Sequence, residues 1–390
     1  MFESICIRRQ HLFDATEPLD LGFLADTMLF YQSVHLIADE DIISQLVREC
    51  GPSLLMELLK EKFLKISYVE KLTSVAPSDA EMSKRVYLPV TLHFSEGNLS
   101  LERLAPEIFS KATGGPGWGR QLGKEFASLV PTINFDNKLL SSVRADFANQ
   151  KYMEKAVAQL MGVLAPTYRL PQDYHFELFK EGEAFRLDTN IDFQQANESF
   201  YQRVQRDGHK LDPERLLLSI FDARNDLFFA SREHSELATH LGSAAILDVK
   251  FREILDARSE SQQHIEAFQE LVLGDSREIG ESIKSGLRTW RDFLMLLKVA
   301  RKFKDWLQQQ EPNVSLIHEY MKALEKETWL DKLPTKAIRF LIFAGGGLFV
   351  PALGSFGLSV ADAFVVDHLL GGWKPNQFVN GPLKGFARLD

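Results

Sequence analysis

Apolar side chains recur along this chain at two spacings, and the first half of the sequence switches between them. The short β-branched runs ESICIRR and SVHLIA read as strands, while LGFLADTMLF between them places Leu21, Leu24, Met28 and Leu29 at helical intervals. DEDIISQLVREC opens on acidic residues suited to a helix start and stops at Gly51-Pro52, after which SLLMELLKEKF begins a new helix. LKISYVEKL and RVYLPVTLHF predict further strands, with the polar run SVAPSDAEMSKR between them as a loop. YHFELFKEGEAFRLDTNIDF predicts a hairpin turning at Glu181-Gly182. Strands interleaved with helices predict an α/β layer.

Beyond residue 207 the period changes. Asp212 is placed to cap a helix with Pro213 in its first turn, and the pattern from there to residue 333 is helical. The fold expected is therefore α+β: a mixed α/β domain with a hairpin over residues 1–207, with a sub-boundary near 73–85, then a mainly α-helical domain over 208–390. That second domain is expected to end in a Gly-rich hydrophobic hairpin and an irregular tail.

Within it, SIKSGLRTWRDFLMLLKVARKFKDWLQQQ reads as a wide-faced amphipathic helix. Ile283, Leu287, Trp290, Leu294 and Leu297 form one apolar stripe, and Phe293, Leu296, Ala300, Phe303 and Leu307 form another beside it. Against them stand Lys284, Arg288, Arg291, Lys298, Arg301, Lys302 and Lys304. Such a helix packs in a core with a basic solvated face, or it meets an anionic membrane, a protein partner or a nucleic acid.

Between Phe340 and Val360 only Ser355 and Ser359 carry polar side chains. A continuous helix of that length reaches about 30 Å, the thickness of a bilayer core. Gly345, Gly346, Gly347 and Pro351 interrupt it, and Asp362, Asp367 and His368 follow. The expectation is a broken apolar hairpin, folded against neighbouring helices and conditionally membrane-active. Its contact residues for a membrane or partner are Phe340, Phe343, Leu348, Phe349 and Phe356, together with Trp290, Arg288 and Arg291 of the basic helix. In the tail, Trp373, Phe378 and Phe386 are spaced to clasp the surface.

Composition narrows the function classes. Hydrophobic residues at 45% and charged residues at 25% mark a globular chain, and 29 phenylalanines point to aromatic-filled cores. The net charge of -9 disfavours a general nucleic-acid surface. Cys6 and Cys50 match neither a disulfide framework nor a metal spacing, and the first residues lack an export signal, so a cytoplasmic protein, or one peripheral to the membrane, is expected.

Candidate chemistry is sparse. Asp222 and Asp226 are four apart in FDARNDLFF and would share a helix face, as acid/base or metal work requires, or as a solvated helix end allows. Asp20, Asp26 and Asp39 sit at element ends, where a metal-dependent nuclease would gather carboxylates and where helix caps also occur. Asp248 and Lys250 have a nuclease-like D-x-K spacing on what reads as a helix, and His234 and His240 are out of phase for a shared metal. KATGGPGWGR is a turn or an anion site without the Lys-Ser/Thr end of a phosphate loop. No metal site and no cofactor is expected, and enzyme activity is not favoured. The leading expectation is an interaction or effector-type protein with a protein partner or a second copy of itself. The alternatives are a metal-dependent hydrolase and a structural subunit.

Overall fold

A computed structural model describes residues 3–8, 18–78, 85–93, 100–133, 135, 137–203, 210–233, 235–239, 242–250, 279–309 and 375–387. The fold is α+β, as the patterning predicts. The chain forms two compact units. One comprises Ser4–Leu19 and Val34–Glu253, and the other Met1–Glu3, Asp20–Ser33 and Ile254–Asp390. No unit boundary falls near residue 207 or within 73–85. Helical periodicity after residue 207 marks a helix that belongs to the sheets, and α1, near the amino end, belongs to the helical unit.

The elements run β1 (Ser4–Arg8), α1 (Leu21–Phe30), β2 (Ser33–Ala38), α2 (Glu40–Cys50), α3 (Pro52–Lys60), β3 (Leu64–Val69), β4 (Lys71–Pro77) and β5 (Val86–His93). Then come α4 (Leu101–Ala112), α5 (Pro116–Leu129), β6 (Thr132–Ile133), α6 (Asn137–Ala148), α7 (Gln150–Leu164), β7 (Phe176–Glu181), β8 (Ala184–Thr189) and α8 (Phe193–Arg203). The remainder are α9 (Pro213–Arg232), β9 (Glu236–Ala238), a helix α10 whose described part covers residues 242–250, α11 (Ile279–Lys284), α12 (Trp290–Gln308) and a short-helical tail over Pro375–Ala387.

In the α/β unit a five-stranded sheet has the order β6-β3-β2-β1-β9, with β2, β3 and β6 mutually parallel and β1 parallel to β9. Strand order reverses at β1, which places a topological switch point between β1 and β9. One sheet face carries Cys6, Ile37, Val69 and Ile133, and Phe229 and Ala230 of α9 pack onto it. A second, antiparallel sheet has the order β4-β5-β8-β7. The polar run SVAPSDAEMSKR is only partly a loop, because its first residues complete β4, with Thr73 and Val75 buried. The β7–β8 hairpin turns as expected, with Gly182 at a φ of 64°. KATGGPGWGR covers the end of α4, the turn at Thr113–Gly115 and the start of α5, whose Gly119 and Gly123 lie against the α4 backbone.

In the helical unit, α1 packs on α11 and α12, and the tail packs on α12. The long amphipathic helix expected from Ile283 onward is two helices. Gly286, at a φ of 73°, ends the first, and Thr289 starts the second through a capping box with Asp292. Leu287 falls in that connection and is exposed.

Candidate interaction surface

The inner side of α12 is settled by packing. Trp290, Phe293, Leu294, Leu297, Ala300, Phe303 and Leu307 are buried. Phe303 stacks on Phe378 of the tail at 4.9 Å between ring centroids, and Phe293 meets Phe386 edge-on at 6.1 Å. The tail does clasp through Phe378 and Phe386, while Trp373 lies outside the described residues, and Arg288 fixes the tail by donating from Nε to the Phe386 carbonyl at 2.8 Å and from Nη2 to that of Gly385 at 2.6 Å. Trp290 and Arg288, expected as membrane or partner contacts, are thus occupied inside the unit. Lys304, expected on the solvated face, is 2% exposed and donates from Nζ to the Met28 carbonyl of α1 at 3.0 Å. Burial, with the Arg301 charge alongside, pushes its amine down to about 7.

The outer side differs. At 100° per residue, Arg291, Met295, Lys298, Val299 and Lys302 fall within about 100° of one another on the helix circumference. Met295 is 58% exposed and Val299 55%. Arg291 and Lys302 are exposed, and neither forms an ion pair among the described residues. The acidic residues of α12 are otherwise used: Asp292 closes the capping box, and Asp305 accepts a hydrogen bond from Gln32 at 3.3 Å. The result is a stripe in which the three cations run along one side and the two apolar side chains along the other. Of the expected contact residues only Arg291 belongs to it. Phe340, Phe343, Leu348, Phe349 and Phe356 lie outside the described residues.

The carboxylates proposed from sequence do not converge. Asp20 caps α1, accepting from Phe23 N at 2.9 Å, and pairs with Lys284 at 2.9 Å. Burial alone raises its carboxyl, but those hydrogen bonds outweigh it and hold the group below its ordinary value. Asp26 accepts from Gly280 N at 2.9 Å and so anchors the start of α11. Asp39, in the α/β unit, caps α2 through Ile42 N at 2.9 Å.

Asp222 and Asp226 do share a face of α9, but the solvated helix end allowed for them is absent, since they are 5% and 3% exposed. They lie at the carboxyl end of β1, where Arg8 Nε donates to Asp226 at 2.8 Å and Nη2 reaches Asp222 at 3.2 Å. Thr239, just past β9, donates to the other Asp226 oxygen at 2.6 Å. Burial pushes the Asp222 carboxyl up, and the Asp226 charge adds to this against the pull of Arg8. A guanidinium spent on two carboxylates ties α9 to β1 at the switch point of the parallel sheet. Asp248 and Lys250 lie on α10, as their helical spacing predicts, and Lys250 donates to Asp146 at 2.6 Å.

One arrangement escaped the sequence. His35 of β2 lies between Ser67 of β3, at 2.8 Å from Nε2, and Glu233 at the end of α9, at 2.9 Å from Nδ1. Burial lowers the His35 pKa, so the ring is neutral at pH 7, with Nδ1–H donating to Glu233 and Nε2 accepting from the Ser67 hydroxyl. The order is that of nucleophile, base and orienter. The burial gradient runs the other way, because the Ser67 residue is 1% exposed while the Glu233 side chain is 21% exposed. The hydroxyl that would attack is the sealed end, so these residues join two strands to α9. Each comes from a different element, and no local motif announces them.

Among the described residues no group of His, Cys, Asp and Glu has the geometry to hold a metal ion, and no helix is long and apolar enough to cross a membrane. Comparison with family models, with curated proteins and with solved structures returned no match to this chain.

Proposed function

We propose that this chain is an interaction protein of the effector type, whose helical unit docks on an anionic partner surface through the outer stripe of α12. The observation that carries the reading is the juxtaposition of Arg291, Lys298 and Lys302 with exposed Met295 and Val299 on a helix whose other side is committed to the core. A solvated face with no partner gains nothing from half-exposed Met and Val, and on this chain, with its net charge of -9, the local positive field stands out. Association with an anionic surface is then steered by charge and weakened by salt. The apolar stretch from Phe340 to Val366 is a second membrane-directed element of the proposal, on its sequence alone.

The test uses the full-length chain and its Arg291→Glu/Lys302→Glu variant. Retention on a sulfonated matrix at pH 7 and low salt is expected for the native chain in spite of its net charge. The variant is expected to elute at least threefold earlier in salt while keeping the native circular dichroism. Equal elution of the two proteins, or no retention of either, overturns the reading.

A further inference from the structure

We infer that the anionic surface recognised by α12 is a lipid bilayer, a deepening that rests on the docking reading above. The argument lies in what runs beside the cations. Along the helix axis Met295 and Val299 lie between Arg291 and Lys302, and around it they lie to one side of Arg291, Lys298 and Lys302, so a row of cations borders two side chains that neither donate nor accept hydrogen bonds. A nucleic acid offers phosphates to the cations but only polar edges or ring faces to the apolar pair. Reading ring faces takes aromatic platforms. The aromatics of α12, Trp290, Phe293, Phe303 and Trp306, are all buried. An acidic protein surface would pair the cations and leave the two apolar groups against charge, at a desolvation cost.

A bilayer of anionic lipid fits both parts. Headgroup phosphates and carboxylates meet the Arg and Lys heads. Met and Val reach the boundary between headgroups and acyl chains, which lies within the 5–10 Å depth to which interfacial helices sink. Long basic side chains also snorkel, placing their stems beside the apolar pair and their charges at the phosphate level. The capping box at Thr289 and the packed inner face hold α12 helical before contact, so little ordering cost accompanies docking. The partner chemistry assigned is therefore a membrane leaflet rich in anionic lipid, met by a preformed face of about three turns.

The experiment is co-sedimentation of the full-length chain with sucrose-loaded vesicles, of phosphatidylcholine alone or with three parts in ten of phosphatidylserine, at 0.1 M salt. Binding at least tenfold stronger to the serine-lipid vesicles is expected. Each cation near such a surface is worth about fivefold, so Arg291→Glu/Lys302→Glu should lower vesicle binding by at least 25-fold. Met295→Ser/Val299→Ser should lower it about tenfold and leave elution from the sulfonated matrix unchanged. All four side chains are solvent-facing, and thermal melts establish that each variant keeps its fold.

The outcomes separate. Loss of binding in both variants supports the lipid. Sensitivity to the charges alone, or equal binding to RNA or an acidic polypeptide, overturns the lipid and leaves the docking reading standing. Indifference to all four substitutions overturns both.

Discussion

Gly22 of α1 and Gly280 of α11 meet backbone against backbone: a Cβ built on Gly280 would fall 2.7 Å from the Gly22 Cα. Neither glycine has a positive φ, so the requirement is for space. The close approach lets Asp26 reach the Gly280 N–H and Lys284 reach Asp20. Gly280→Ala is expected to destabilise the helical unit by roughly 1–3 kcal/mol, and Gly280→Val by more. Gly162→Ala serves as the contrast, because nothing lies within 4 Å of its added methyl in the last turn of α7. That change is expected to stabilise by about 0.5–1 kcal/mol. Thermal melts of the pair decide the matter, and equal shifts would refute the contact.

The two carboxylates on Arg8 should not be equivalent. Asp226 takes the shorter bond and a second one from Thr239, so Asp226→Asn strips a buried guanidinium of its better partner. A loss of roughly 3–5 kcal/mol is expected. Asp222 is already pushed toward its neutral form by burial, and Asp222→Asn, close in shape to that form, should cost less than half as much. The sign of its pH dependence follows. A carboxyl whose folded pKa is raised adds stability at low pH that is lost as pH rises through the folded value. Denaturant melts from pH 4 to 7 should therefore show the native chain losing more stability across that range than Asp222→Asn.

How much of this was legible depended on whether the signal is local. The elements of the α/β unit follow from alternation and caps, and Asp212, Asp20 and Asp39 each perform the capping role their positions suggested. The break before α12 was also present, as Ser285-Gly286 and the Thr289-x-x-Asp292 box, but an unbroken apolar stripe across it masked the signal. Burial of Asp222 and Asp226 was not legible, because it depends on Arg8, more than two hundred residues away in the chain. The His35 cluster is hidden for the same reason. It joins strands and a helix that meet only once the sheet has formed. Of the expected contact set, Arg291 stays exposed because one helical period separates the faces of α12, whereas Trp290 is buried and Arg288 is claimed by a tail whose docking no local pattern specifies.

The reversed burial of the His35 cluster has a chemical consequence. A serine-directed fluorophosphonate is expected to leave the native protein unlabelled, because Ser67 is sealed although its hydroxyl donates to a neutral imidazole. Mass spectrometry of the treated protein checks this, and modification at Ser67 would turn the cluster into a catalytic centre. Ser67→Ala should cost about 1–3 kcal/mol, since it strands His35 Nε2 inside the fold.

Lys304 tests whether a buried amine holds the helical unit below its attainable stability. Its Nζ meets the Met28 carbonyl, with the Arg301 charge disfavouring protonation and Asp305 favouring it. The folded amine titrates near 7 against 10.5 for the ordinary group, so unfolding takes up a proton throughout that interval. Stability must then rise with pH from about 7 to about 10.5, while below 7 both states carry the charge and the penalty stays constant. Lys304→Met, which fills similar volume without a charge, should raise stability at pH 6 by on the order of 3–4 kcal/mol. The gain should shrink to within about 1 kcal/mol once the pH exceeds 10.5, where the amine is mostly neutral in both states. Denaturant melts at half-unit steps measure the difference. A gain that is flat from pH 6 to 10 would show that Lys304 is solvated in the native protein, and with it that α12 does not press this face against α1.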